Sequence, residues 1–174
     1  HLSERGAKNL VLLARSPLPE KSTWSEYLNS EEGKRNPLTC QKISAIQAVE
    51  SKGANVIVLA VDVSDQISMQ SELTQVQAKI GTIHGVIHAA GIMDDQLVVL
   101  KSEQSVESVL SGKIQGAIVL DTIFDKIDLD FFIVFSSVAS YLGLPGQIDY
   151  TSANAFLDSF ALERSERSAG ITRV

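Results

Sequence analysis

The chain has a single cysteine, Cys40, in 174 residues. An internal disulfide is therefore excluded, and a reducing compartment is the simplest expectation. Cys40 and the three histidines, His1, His84 and His88, share no metal-ligand spacing, so no metal site is expected. Basic residues are outnumbered, 15 Lys and Arg against 21 Asp and Glu for a net charge of -6. Lys34-Arg35 is the only adjacent basic pair. A nucleic-acid surface needs clustered cations to neutralise phosphates, and this chain has no such cluster. The longest apolar runs, residues 10–14 and 56–61, are of strand length, far below the ~20 residues of a membrane span. No stretch has the form of a signal peptide, so a soluble, cytoplasmic protein is expected. A Gly-x-Ser-x-Gly elbow and a glycine-rich phosphate loop are both missing.

What remains is ordinary globular composition, 44% hydrophobic and 21% charged. Apolar runs of strand length at residues 9–14, 55–61, 83–89 and 131–136 alternate with helical spacings at 40–52, 64–80, 105–124 and 149–167. Nearly unbroken apolar strands separated by helices imply a doubly wound parallel sheet, an α/β fold with helices on both faces. Residues 17–39 interrupt this pattern with Pro17, Pro19 and Pro37, mixed charge and few apolar anchors, among them Trp24. They read as a surface insertion with a short helix near residues 24–30. Ser64-Asp65 is placed to cap the helix that follows, with Ile67, Leu73, Val76 and Ile80 facing inward. In the later helix Val109, Ile114, Ile118 and Val119 are the residues available for burial. Residues 1–8 read as the end of a helix capped by Gly6, and residues 172–174 as the start of a strand. The chain is therefore expected to be truncated at both ends.

In an open parallel sheet, ligands lie beyond the carboxyl ends of the strands. Those positions here hold Arg15-Ser16, Asp62-Val63, His88-Ala89-Ala90-Gly91 and Ser136-Ser137. Tyr150 stands thirteen residues after Ser137, Asn154 four after Tyr150, and Lys113 lies on the preceding long helix. Tyr-x-x-x-Asn alone carries little information. Serine at a strand end, tyrosine at the next helix start and lysine one helix earlier are informative together.

This order and spacing resembles the short-chain dehydrogenase/reductase superfamily, and the Tyr150/Asn154/Lys113 form resembles the ketoreductase domains of modular polyketide synthases. The resemblance implies a Rossmann-like fold and NADPH-dependent reduction of a β-ketoacyl thioester on an acyl carrier protein. It implies Tyr150 as proton donor, since an ammonium beside a phenol favours the phenolate and makes the hydroxyl a better acid. Ser137 and Lys113 would stabilise and position, and Asn154 would support the polar network. Arg15, with Ser16, would meet the 2′-phosphate of NADPH. Asp62 and Val63 would contact adenine, and Ala89, Ala90 and Gly91 would let the backbone approach the cofactor. His88 alone reads better as a satisfied core histidine. Met93-Asp94-Asp95 is similar to the Leu-Asp-Asp motif of the class giving a D-configured β-hydroxyl. Leu142 stands where the opposite class has tryptophan, and Pro145 occurs in a subgroup acting on epimerised substrates.

The family's first strand and its Thr-Gly-x-x-Gly-x-Gly turn have no counterpart in this sequence, nor do its substrate lid and final strands. In the family's strand order the first strand is central, between the Leu10 and Val86 strands. The chain is therefore expected to be a partial domain with two open sheet edges, one that alone binds NADPH poorly and is inactive. Expected partners are the carrier-tethered substrate and other synthase domains of the same polypeptide. Two other readings stay open at this point: a free-standing reductase of small ketones or fatty-acyl substrates, and a noncatalytic NADP-binding or structural module.

Overall fold

The computed structural model describes residues 1–167 and 170–174. The chain divides into two compact units, His1–Val61 and Asp62–Val174.

In the first unit β1 (Asn9–Ala14) and β2 (Asn55–Ala60) pair in parallel, with Leu10 opposite Val56 and Ala14 opposite Ala60. Gly6 ends the opening 3-10 turn in the left-handed conformation, φ 101°, as its capping role requires. Three helices connect the strands: α1 (Trp24–Asn29), α2 (Glu31–Arg35) and α3 (Pro37–Glu50). Proline at the first position of α3 loses no helical hydrogen bond there. Ile43 and Ile46, three residues apart, turn one face of α3 inward, where they bury with Trp24 and Val56 against Leu10 and Val58. Within residues 17–39, Trp24 is the anchor that ties the segment to this core. Trp24 is only 4% exposed, and its indole N–H donates to the Pro19 carbonyl at 2.8 Å. Gly33 is fixed by packing, because a Cβ there would lie 2.2 Å from the Tyr27 carbonyl oxygen.

The second unit opens with α4 (Gln66–Ile80) and builds a sheet of three parallel strands in the order β3 (Gly85–His88), β4 (Phe131–Val134), β5 (Ile171–Arg173). Asp65 caps α4 by accepting from the Ser68 N–H at 3.1 Å, whereas Ser64 bonds back to Asp62. The buried stripe of α4 is Met69, Leu73 and Val76, spaced by four and three residues. Ile67 falls about 200° away from Met69 around the helix and faces solvent, contrary to expectation.

Residues 103–124 are two helices, α5 (Glu103–Leu110) and α6 (Gly116–Phe124), joined by a π-helical turn, Ser111–Gln115. A π turn inserts an extra residue and rotates everything after it around the axis. Val109 and Val119 bury as expected. Past the turn the inward stripe is Ala117, Leu120 and Phe124, which leaves Ile118 outward. After β4 come the short α7 (Ala139–Leu142) and α8 (Ile148–Arg167). Phe132 of β4 is fully buried against Phe160 of α8, ring centroids 6.0 Å apart.

The α/β class and the parallel pairing agree with the sequence. The strands form two parallel sheets, one per unit, and neither β1 nor β3 has a second strand neighbour among the described residues.

Candidate active site

The second unit brings together side chains from three chain segments. Lys113 sits on the π turn between α5 and α6 and is only 5% exposed. Its ammonium donates to the Phe135 carbonyl at the end of β4, 2.8 Å away. It also lies 5.3 Å from the ring centroid of Tyr150 in the first turn of α8. Burial disfavours the charged form and holds the Lys113 ammonium below its ordinary range.

Two neighbours constrain the π turn. The His88 Nε2 is 3.0 Å from the Lys113 carbonyl oxygen. That oxygen can only accept, so Nε2 carries the proton. Burial lowers the pKa of His88 and favours the neutral ring. Gly116, just past the turn, has no room for a side chain: a Cβ would lie 2.7 Å from Val63 Cγ1 and 2.9 Å from His88 Cε1. His88 is therefore a satisfied core histidine, as the sequence suggested, and what it satisfies is the backbone of Lys113.

Asn154, fully buried, donates from Nδ2 to the Tyr150 carbonyl at 2.7 Å, one turn back along α8. Its Oδ1 has no hydrogen-bond donor among the described residues. Its own carbonyl accepts from the Ser136 hydroxyl at 3.2 Å. The Ser137 hydroxyl accepts from the Ala139 N–H at 3.2 Å. A hydroxyl that accepts still has its proton to donate, so the bond from Ala139 leaves Ser137 competent to bond a substrate oxygen.

Both carboxylates of the Asp94–Asp95 loop are hydrogen-bonded. Asp94 Oδ1 accepts from Gln96 Nε2 at 2.8 Å and Oδ2 from the Ser105 hydroxyl. These bonds, that to Ser105 first, hold its carboxyl below the usual range. Asp95 accepts from Gln147 Nε2 at 2.8 Å. Leu142 and Pro145 are exposed in the segment leading to Tyr150.

Two charged residues without a sequence signal complete this region. Lys101 and Asp149 pair at 2.7 Å with side chains 2% and 1% exposed. They are 48 residues apart, and no spacing rule links them.

The exposed small residues after β3 leave backbone open to the nicotinamide dinucleotide that the resemblance implies. Ala89, Ala90 and Gly91 are exposed after β3, and a Cβ at Gly91 would lie 3.0 Å from Lys113 Cε, so the backbone there stays bare. Asp62 Oδ1 accepts from the Ser64 N–H and hydroxyl at 2.9 and 2.7 Å. Val63 is buried and presents only backbone to a ligand. Arg15 and Ser16, in the first unit, are exposed after β1, and no described residue pairs with the Arg15 guanidinium. Among the described residues no group of three or more His, Cys, Asp or Glu could hold a metal ion. No helix among them is long and apolar enough to cross a membrane.

A family model described as "KR domain" matches residues 1–172. The chain is 42% identical over 164 residues to a 6-methylsalicylic acid synthase of Aspergillus terreus, covering 94% of this chain and 9% of that protein. It is 36% identical over 173 residues to a 5-methyl-1-naphthoate synthase of Streptomyces sahachiroi, covering 99% and 9%. Among solved structures, a ketoreductase domain from the bacillaene assembly line superposes with a TM-score of 0.79 at 32% identity, over 97% of this chain and 37% of that one. A-type ketoreductases from a modular polyketide synthase superpose at 0.76 and 27% identity, over 99% and 32%. The chain thus spans about a tenth of these curated relatives and about a third of these solved ketoreductases.

Proposed function

The chain belongs to the KR-domain family of polyketide synthases, with a short-chain dehydrogenase/reductase fold, and on that premise we propose that its parent protein reduces a β-ketoacyl thioester, carried on an acyl carrier domain, to the β-hydroxyacyl thioester. The observation that carries this reading is the meeting of a buried ammonium, Lys113, with the ring of Tyr150 beside a strand end that bears Ser137. When bound, NADPH supplies the hydride for the carbonyl carbon.

The chain's own residues handle the oxygen. Tyr150 donates its phenolic proton to the oxygen as negative charge develops there. Ser137 donates a second hydrogen bond to the same oxygen. Lys113, held by the Phe135 carbonyl on one side and His88 through its backbone on the other, stabilises negative charge at the phenol. Asn154 fixes the first turns of α8 through the Tyr150 carbonyl. Arg15 and Ser16 would hold the 2′-phosphate, Asp62 and Val63 the adenine, and residues 89–91 the nicotinamide end. Met93, Asp94, Asp95 and Leu142 support the D-configured alcohol as product, and Pro145 is compatible with an α-substituted substrate.

The test is NADPH oxidation by the native polypeptide carrying this chain, with a β-ketoacyl thioester as substrate. Tyr150→Phe should lower the rate by about 10²-fold or more. A Tyr150→Phe variant that turns over at the wild-type rate would overturn the proposal.

A further inference from the structure

The Lys101–Asp149 pair joins the loop after β3 to the start of α8. The Lys101 ammonium donates both to Asp149 Oδ2 and to the Asp94 carbonyl. Asp149 Oδ1 accepts from the Tyr150 N–H at 2.9 Å. One line of bonds therefore runs from the Asp94 backbone, through an ammonium and a carboxylate, to the Tyr150 backbone. Two further bonds join the same segments: Gln96 N–H to the Gly146 carbonyl at 3.0 Å and Gln147 Nε2 to Asp95 Oδ2 at 2.8 Å. Gly146 has φ 80°, and a Cβ there would lie 3.6 Å from the Gln96 backbone.

Stability is a poor reason for such a pair. Burying two charges costs much of what their attraction returns, and an apolar pair of similar volume often folds as well. Apolar contacts, however, have no direction. A bidentate carboxylate and an ammonium shared between two acceptors fix both the spacing and the register of the segments they join. We infer that Lys101 and Asp149 are positioning residues that hold the Asp94–Asp95 loop at a set distance from Tyr150, and so decide which face of the substrate carbonyl is reduced. Neither residue touches the reacting atoms. The inference rests on Tyr150 acting as the proton donor.

The experiment replaces the pair, Lys101→Met with Asp149→Leu, in the native polypeptide. Unfolding in urea, kcat and KM for the thioester, and the configuration of the β-hydroxyl product are then measured. The expected result is an unchanged unfolding midpoint, a KM near wild type, a kcat lower by up to about 100-fold, and a product of mixed configuration. Lys101→Arg, which keeps the charge and the donors, should retain a single configuration. If the apolar pair does not fold, Lys101→Leu with Asp149→Asn, which keeps an acceptor for the Tyr150 N–H but severs the link to the Asp94 carbonyl, takes its place and the same outcomes apply. A folded double variant with wild-type kcat and one product configuration overturns the inference. Tyr150→Phe, assayed alongside, separates the two failures. If Tyr150→Phe is inactive while the double variant behaves as wild type, only the positioning role is lost.

Discussion

Lys113→Met should separate stability from activity, because the side chain is buried where its charge is expensive. The ammonium's hydrogen bond to the Phe135 carbonyl is a charged one, worth about 1.5–3 kcal/mol. Its place 5.3 Å from the Tyr150 ring centroid adds about 0.5–2 kcal/mol. Against these stands the cost of keeping an ammonium out of water, several kcal/mol after relaxation. The opposing terms cancel to within about 2 kcal/mol, and methionine keeps most of the aliphatic stem in place. The variant should therefore unfold in urea near the wild-type midpoint or above it, while the reduction rate falls by about 10²-fold or more. A second signature follows from the pKa. Burial holds the folded-state value of Lys113 below the ordinary 10.5. Between that lowered value and 10.5 the unfolded chain binds more protons than the folded one, so wild-type stability rises with pH across this window. The rise is absent in Lys113→Met. Urea melts of both proteins from neutral pH upward measure the difference directly. A variant weaker by more than about 3 kcal/mol at neutral pH, or a stability difference that stays flat with pH, would refute this account of Lys113.

Other residues give independent tests. Burial lowers the folded pKa of His88 below the ordinary 6.5, so its contribution is intact above 6.5 and is lost as pH falls from there toward the folded value. His88→Gln, which keeps a donor for the Lys113 carbonyl, should remove that acid sensitivity in urea melts. Gly116→Ala forces a Cβ to 2.7 Å from Val63 Cγ1 and should cost about 1–3 kcal/mol; an equally stable variant would mean that the π turn yields freely. Trp24→Ala empties a side chain from the core of the first unit and should cost about 3–5 kcal/mol, read by urea unfolding. Arg15→Ala should raise the KM for NADPH by about 10- to 100-fold and leave that for NADH little changed, as steady-state kinetics with the two cofactors would report.

The parts of this protein legible in the sequence are those set by local pattern. Strand positions followed from unbroken apolar runs such as residues 9–14 and 55–60, because a strand covered on both faces admits few other residues. Tyr150, Asn154 and Lys113 stood out through the family resemblance that their order and spacing carry, and Lys113 and the Tyr150 ring do lie together. Asp65 was legible as a helix cap, and Gly6 as a left-handed terminus, for equally local reasons. Phase errors arose where a local rule met a tertiary one. Ile67 looked inward by hydropathy, yet the face of α4 is set by Met69, Leu73 and Val76. Ile118 looked inward by hydropathy, yet the buried face of α6 is set by Ala117, Leu120 and Phe124. The burial of Trp24 depended on Ile43 and Val56, far along the chain. Lys101 and Asp149 were invisible because an isolated lysine and an isolated aspartate read as surface residues until folding places them together.

The π turn itself connects these observations. It costs regular hydrogen bonding in the middle of a helix, and such turns persist where the surroundings over-determine them. Here the determinants are specific: a histidine proton on the Lys113 carbonyl, a glycine at 116 with no space for a methyl group, and Lys113 carbons close beneath Gly91. Each restricts the turn from a different side. The ammonium at its centre is carried to the Phe135 carbonyl and the Tyr150 ring. The helix irregularity, the buried charge and the two glycines are thus parts of one arrangement. It gives up regular helical bonding and ammonium solvation to set a cation beside a phenol.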